Sequence, residues 1–188
     1  MLRKAARDVA DEAALNALAL RCGAFKAAAI DVSDIPFRRE FRDACKQNRC
    51  GKYGTNWMCP PDVGDIDELI ARASAYKRAL VLQSVGVLTD SFDVEGMELA
   101  SRKHRKLLVS FFSKITPYVG RALKLGGGAC LVCERCAKCT GDLCRHPEKA
   151  IASLEAYGIA VSELAERSGL QYVNGVNTIT YFGAVLYG

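Results

Sequence analysis

Nine cysteines are the residues of this 188-residue chain with the greatest capacity for chemistry. Because nine is an odd number, they cannot all pair in internal disulfides. Eight of them fall into two groups, which we call the first cysteine segment (45–61) and the second cysteine segment (130–147). Clustered cysteines in a reducing compartment bind metal or do redox work more often than they form disulfides. The two segments therefore predict a metal or redox site.

The second cysteine segment carries the stronger motif, a C-x2-C-x2-C run that begins at Cys130 and is followed by Cys139 and Cys144. Consecutive C-x2-C steps direct successive thiolates toward different corners of one small body, as a [4Fe–4S] cluster requires. Zinc sites usually divide their ligands into two pairs separated by about 12–20 residues. We expect an iron–sulfur cluster, with zinc and redox-active thiols as the alternatives.

The first cysteine segment has the spacing Cys45-x4-Cys50-x8-Cys59 followed by two prolines, a pattern that is also compatible with isolated buried thiols. Two [4Fe–4S] clusters need about eight ligands, so the cysteines suffice for both. One set is Cys130, Cys133, Cys136 and Cys144; the other is Cys45, Cys50 and Cys59, completed by Cys139. Cys139 and Cys144 could exchange roles. Cys22 is expected to be core filler, although it is the other residue available to complete the first cluster.

Residues around the cysteines give the chain a resemblance to a known family. The first block reads Cys45, Cys50, Tyr53, Gly54, Asn56, Trp57, Cys59, Pro60 and Pro61. The second runs from Cys130 through Arg145, Pro147, Glu148, Lys149 and Ala150 to Ser153, Glu155, Ala156, Gly158 and Ile159. From about residue 40 to Leu186, the chain resembles a family of cysteine-rich, predicted metal-binding proteins of unknown function from bacteria and archaea. The resemblance implies metal binding, with iron–sulfur as the expected form, and supplies no reaction.

Two further residues are the main candidates for binding the cofactor, and the two histidines are less favoured. Trp57 is predicted to pack over the first cysteine segment as a lid, with substrate stacking as the alternative. Arg145 would stabilise the reduced form of an anionic cluster, or would instead pair with a carboxylate such as that of Glu155. His146 is a weak candidate for a ligand or proton donor, and His104 is predicted to lie on an exposed basic helix face. No catalytic residue can be assigned.

A basic stretch suggests where a partner would bind. Residues 101–128 contain seven lysines and arginines and no acid, in a chain whose net charge is +5. Such a run is typical of a solvated helix face, and also of a docking surface for an acidic partner. We expect the basic face 102–124 to receive a redox protein, rather than nucleic acid or a membrane.

The elements that must position these residues alternate between helices and strands. Helices are expected at 2–21, 66–73, 97–115, 148–157 and 162–168, with a helix restart at Thr116-Pro117 that Gly126–Gly128 would stop. Strands are expected at 25–32, 79–87 and 178–187, with a hairpin turn at Asn174-Gly175. The stretch 38–52 is read as polar and arginine-rich. Asp65 and Glu68 have the spacing of a capping box.

This pattern predicts a single domain over residues 1–188. Its class is α/β or α+β, with a mixed sheet, flanking helices and a cysteine-rich iron–sulfur loop lobe formed by the two cysteine segments. The N-terminal stretch does not look like a signal peptide, because Asp8, Asp11 and Glu12 interrupt the place of an apolar core, so we expect the cytoplasm. The leading hypothesis is a protein with two [4Fe–4S] clusters that relays electrons. An enzyme that binds substrate at an open iron, with Tyr53, Asn56 or Trp57 forming the pocket, and a structural zinc module are the alternatives.

Overall fold

Five strands form one mixed sheet in the computed structural model, which describes residues 11–188. The strands are β1 (Lys26–Asp31), β2 (Arg78–Val87), β3 (Ala122–Gly126), β4 (Ala152–Ser153) and β5 (Thr178–Tyr187). Their order in the sheet is β1-β2-β5-β3-β4, and only β3 and β4 run parallel. The last strand of the chain is thus the middle strand, and its second half is buried throughout, as its apolar sequence requires.

Residues 11–188 form five α-helices. They are α1 (Glu12–Arg21), α2 (Phe41–Lys46), α3 (Ile66–Ser74), α4 (Val94–Lys114) and α5 (Val161–Arg167). Helices α1 and α4 pack on one face of this sheet, and α3 and α5 pack on the other. Leu80 and Leu82 of β2 face α1 and α4, whereas Ala79 and Val81 face α3 and α5. Because successive side chains of a strand point to opposite faces, the sheet has one apolar core on each side. The fold is α+β, one of the two classes that the sequence predicts.

Two glycines allow α4 to lie close against the middle of the sheet. A Cβ atom at Gly86 of β2 would come within 2.5 Å of the Cβ of Ala100, and one at Gly183 of β5 within 2.6 Å of the Cδ2 of Leu108. Real Cβ atoms do not show such distances, so something would have to shift at either position. Ala100 has no flexible side chain to move, so Gly86 requires glycine at this separation, whereas at Gly183 the Leu108 side chain would have to move aside. The close packing fixes α4 along β2 and β5.

Several predicted elements are confirmed. The strand 178–187 has the predicted bounds, and β1 and β2 each lie within a residue of theirs. Asp65 caps α3, accepting hydrogen bonds from the backbone N–H groups of Asp67 and Glu68. Helix α4 begins three residues before the predicted start, because the side chain of Asp93 accepts a hydrogen bond from the N–H of Gly96 and caps it there. The part of the predicted first helix before residue 11 lies outside the described residues.

Other predictions are wrong, mostly where tertiary pairing overrides local pattern. No helix restarts at Thr116-Pro117, because a turn follows α4. Ala122–Gly126 is instead strand β3, which pairs with the C-terminal part of β5. Residues 148–157 are not a helix but contain β4 and a 3-10 turn at Glu155–Tyr157, because Ala152 pairs with Leu125. Asn174-Gly175 makes no hairpin, since β5 pairs with β2 and β3. The stretch 38–52, for which the sequence predicted neither helix nor strand, contains the short helix α2.

Candidate metal centre

Four cysteines of the second segment line one small cavity. The segment begins four residues after β3, and its chain is irregular except for a 3-10 turn at Ala137–Thr140. The cavity is lined by Cys130, Cys133, Cys136 and Cys144, together with Trp57 and Arg145 among other residues. The set of four cysteines predicted from spacing thus shares one enclosed space.

The three thiols of the first segment influence one another electrostatically. Cys45 lies on α2, and Cys50 and Cys59 follow in the loop before α3. Burial above all, together with the nearby sulfurs of Cys50, Cys45, Cys130 and Cys136, raises the pKa of the Cys59 thiol to about 11. These contributions come from both segments. Cys59 therefore lies where the two cysteine segments meet.

Arg42, a charged residue near Cys45, was not found by sequence reasoning. Burial raises the pKa of the Cys45 thiol, and the guanidinium of Arg42 partly offsets this. Arg42 is three residues before Cys45 on α2, a helical neighbour. Glu155 also lies near Cys45, and burial raises the pKa of its own carboxyl group. The i, i+3 spacing of Arg42 and Cys45 would have been the available signal.

Cys139 is exposed and faces the first cysteine segment. Its Sγ donates a hydrogen bond to the carbonyl oxygen of Thr55, 3.3 Å away, and Thr55 lies between Cys50 and Cys59 in the chain. The thiol is therefore next to the loop that carries Cys50 and Cys59, two of the other three cysteines of its predicted set.

Side-chain contacts hold the two segments together. The Asn56 amide donates to the carbonyl oxygen of Cys130 at 2.9 Å, and the Trp57 indole N–H donates to that of Asp142 at 3.0 Å. Lys138 forms an ion pair with Asp62, and its Nζ lies 4.4 Å from the centre of the Trp57 ring. These contacts join residues more than 70 positions apart in the sequence. The side chains of Asn56 and Trp57 are thus engaged in joining the segments.

All nine cysteines are free thiols. Within residues 11–188, no three His, Cys, Asp or Glu side chains form a group that could hold a metal ion as they stand. Four thiols are nonetheless the donor set of both a [4Fe–4S] cluster and a structural zinc ion. The cavity they line measures about 20 Å³, enough for about one water molecule. The donors fit either metal group, and a cluster would require the cavity to widen.

Cys22 lies on the opposite side of the sheet from the first cysteine segment. It is the C-cap residue of α1, packs against the α1 and α4 core, and accepts a hydrogen bond from the Ser110 hydroxyl at 3.6 Å. Cys45, by contrast, lies near Glu155, beside the core under α3 and α5. This position matches the expected role of Cys22 as core filler.

His104 is not on an exposed face, and that prediction is wrong. The residue is only 3% exposed and its ring stacks on Tyr181, with the ring centres 5.7 Å apart. Nδ1 lies 2.8 Å from the Ser84 hydroxyl, whereas the buried Nε2 has no hydrogen-bond partner. Burial lowers the pKa of His104 to about 4. Its spacing of four residues from Leu108 places it on the core side of α4, and the basic neighbours obscured that signal.

The basic residues of 102–124 are distributed over several environments. Arg102 pairs with Glu98, and Lys114 hydrogen-bonds to the Ser110 hydroxyl. The Arg121 guanidinium lies 5.2 Å from the ring centre of Tyr76. Arg105 donates to the carbonyl of Leu131, so one residue of the stretch reaches the second cysteine segment.

Fold and site together define an α+β protein whose cysteines come from two joined loop segments. The chain belongs to the family described as predicted metal-binding proteins, DUF2284, whose family model matches residues 28–187. The match spans both cysteine segments and all five strands except the first two residues of β1. Searches of curated proteins and of solved structures give no significant match. None of the helices within residues 11–188 has the length and apolar character needed to cross a bilayer.

Proposed function

We propose that the protein binds two [4Fe–4S] clusters and relays electrons to or from a protein partner. One observation carries the proposal: Cys130, Cys133, Cys136 and Cys144 line the same cavity. The second set is supported by the position of Cys139 beside the loop that carries Cys50 and Cys59. When bound, such clusters supply one-electron redox chemistry. Free thiols in this number persist in a reducing compartment such as the cytoplasm.

The surrounding residues would tune the potential of the clusters. A thiolate-ligated cluster is anionic, and cationic groups nearby favour its reduced form. Arg145 lines the cavity of the second set, and Arg42 lies near Cys45 of the first. Trp57, half-buried against Asp142, limits the access of water. Each of these residues acts on the cluster potential through charge or through exclusion of solvent.

A partner with an acidic surface would dock on the basic face 102–124. Lys103 and Lys106 are exposed on α4, and neither forms an ion pair with another residue of the range 11–188. Complementary charge accelerates the encounter of redox proteins without requiring a large interface. The rate of electron transfer to an acidic carrier should therefore fall as the salt concentration rises.

Metal and sulfide analysis of anaerobically purified protein, with electron paramagnetic resonance after reduction, tests the proposal. Two clusters correspond to about eight irons and eight inorganic sulfides per chain. A colourless protein that contains stoichiometric zinc and no sulfide would overturn it.

The variant Cys139→Ser separates the relay from an enzyme with an open iron. If Cys139 completes the first set, iron content falls by about four per chain, because the remaining three cysteines do not hold the cluster firmly. The control Cys22→Ser should leave iron content unchanged. Full iron content in Cys139→Ser would instead favour an iron available to substrate.

A structural zinc module is the second candidate, and the volume of the cavity favours it. A space of about 20 Å³ between four thiols suits one ion better than a cluster of eight atoms. In that case, removal of zinc by a chelator should unfold the loop that contains the second cysteine segment, because the free energy of zinc binding then stabilises the folded loop. The same metal analysis distinguishes the two candidates.

A further inference from the structure

A much larger cavity, about 1030 Å³, lies between α4, β3 and the chain around the second cysteine segment. Cavities of this size accommodate organic molecules as large as a nucleotide. Cys130, Val132, His146 and Ala150 line both this cavity and the small one that contains the four cysteines. A molecule in the large cavity would therefore lie beside the second cysteine segment.

Much of the wall of the large cavity is apolar. Its apolar side chains include Leu108, Val109, Phe112, Leu131, Val132 and Ile151. Val109, Leu131 and Val132 are exposed although they are hydrophobic, and they flank the same space. Such a wall favours a ligand with an apolar body.

The polar part of the wall is mainly cationic. It contains Arg105, Lys106, Lys124 and Lys149, against two acids, Glu134 and Glu148. None of the three lysines forms an ion pair with another residue of the described chain. Lys124 is half-buried on β3, with its Nζ 6.0 Å from the centre of the Phe112 ring. Lysines that line an apolar cavity without a counter-ion match an anionic ligand.

His104 lines the cavity as part of its wall and is only 3% exposed. Its Nδ1 lies 2.8 Å from the Ser84 hydroxyl, and its Nε2 is enclosed by the protein near the backbone of Phe182. The ring therefore shapes the cavity next to the sheet, whereas the lysines supply the charge that would bind an anion.

We propose that this cavity binds a small organic anion, a carboxylate or phosphate attached to an apolar body. Lys106 and Lys124 bind the charged group, the apolar wall takes the body, and Cys130 separates the ligand from the other cysteines. The site goes beyond the proposed electron relay, since it would bring a small molecule next to the second cysteine set. Binding itself does not depend on which metal that set holds.

Isothermal titration calorimetry with matched probes tests the proposal. The probes are 1-naphthoate, its neutral analogue 1-naphthamide, and inorganic phosphate, which has charge but no apolar body. We expect saturable binding of 1-naphthoate and at least about tenfold weaker binding of each of the other two probes. The double variant Lys106→Gln/Lys124→Gln should bind 1-naphthoate about tenfold more weakly than the wild type does. Lys106→Arg/Lys124→Arg should retain the affinity. Lys103→Gln is the matched control, because Lys103 lies on the same helix and does not line the cavity.

The proposal is overturned if 1-naphthoate does not bind, if 1-naphthamide binds equally well, or if Lys103→Gln weakens binding as much as the double variant. Iron and zinc are measured on the same samples. The glutamine variants should keep the metal content of the wild type, whereas Cys130→Ser should lower it. Absence of 1-naphthoate binding to the wild-type protein with intact metal content refutes the ligand site alone, and absence of iron with intact anion binding refutes the electron relay alone.

Discussion

At the scale of single residues, the two cavities depend on side chains that the fold buries at a cost. His104 is held neutral between α4 and the sheet, with one nitrogen bonded to Ser84 and the other without a partner. Cys59 is likewise held as a neutral thiol, since burial and neighbouring sulfurs both oppose its ionisation. A metal removes that cost, because it binds the thiolate. His104 lines the large cavity, and Cys59 lies near Cys130 and Cys136, which line the small one.

The pKa of His104 predicts a loss of stability in mild acid. Its folded-state value of about 4 is below the usual value of 6.5, so between these pH values the unfolded chain binds more protons and the fold is destabilised as pH falls. From pH 7 to pH 5 the free energy of unfolding should decrease by about 2 kcal/mol on account of this residue. Urea unfolding of His104→Gln should show that much less dependence on pH. Equal pH profiles for variant and wild type would refute the assignment.

At the scale of elements, α4 and the sheet form the frame on which the second cysteine segment is placed. Strand β3 leads into that segment, and α4 lies along β2 and β5 on the same face as the large cavity. Gly86 and Gly183 set the distance between helix and sheet, because a methyl group at either position would collide with α4. The width of the cavity between α4 and β3 thus depends on close packing in the centre of the sheet.

Gly86→Ala tests this packing. The added Cβ would come within 2.5 Å of Ala100, which has no flexible side chain that could move aside, so backbone must shift. We expect a loss of about 2 kcal/mol in the free energy of unfolding, measured by urea denaturation. The matched control is Gly120→Ala, where nothing lies within 4 Å of the added atom and the change should be below about 0.5 kcal/mol. Similar effects of both substitutions would contradict the packing argument.

At the scale of the whole molecule, two segments far apart in the chain are joined at one place. Lys138 is central to this junction, because it pairs with Asp62 and lies over the ring of Trp57. The ion pair is largely buried, with side-chain exposures of 26% for Lys138 and 16% for Asp62. Removal of one partner leaves the other charge without compensation, which costs more than the loss of a surface pair.

Lys138→Gln should therefore loosen the junction. We expect a loss of about 1–2 kcal/mol in stability and faster amide hydrogen exchange at residues 130–144, measured by mass spectrometry. Arg102→Gln is the control, because the Arg102–Glu98 pair is exposed and distant from the junction in the chain. If exchange at 130–144 changes equally in both variants, the ion pair does not hold the segments together.

Local signals in the sequence were sufficient for some elements and misleading for others. Asp65 correctly predicted the start of α3, and the β-branched and aromatic residues of 178–187 correctly predicted β5. Strands β3 and β4 are only five and two residues long and have no comparable local signal. They become strands because β3 pairs with β5 and β4 pairs with β3. The burial of His104 was not predicted, because the many basic residues of α4 made this part of the helix look exposed in the sequence.

What the sequence by itself determined is the chemistry available: nine thiols in a spacing typical of metal binding, and membership of a metal-binding family that the match over residues 28–187 establishes. Ligand spacing is a local property, because a few residues of loop decide whether neighbouring thiols can converge. Only the tertiary structure decided which thiols share a cavity, that Lys138 and Asp62 join the two segments, and that a cationic apolar cavity lies beside Cys130. Those contacts connect residues distant in the chain, and their formation depends on how helices and strands pack rather than on any short stretch of sequence.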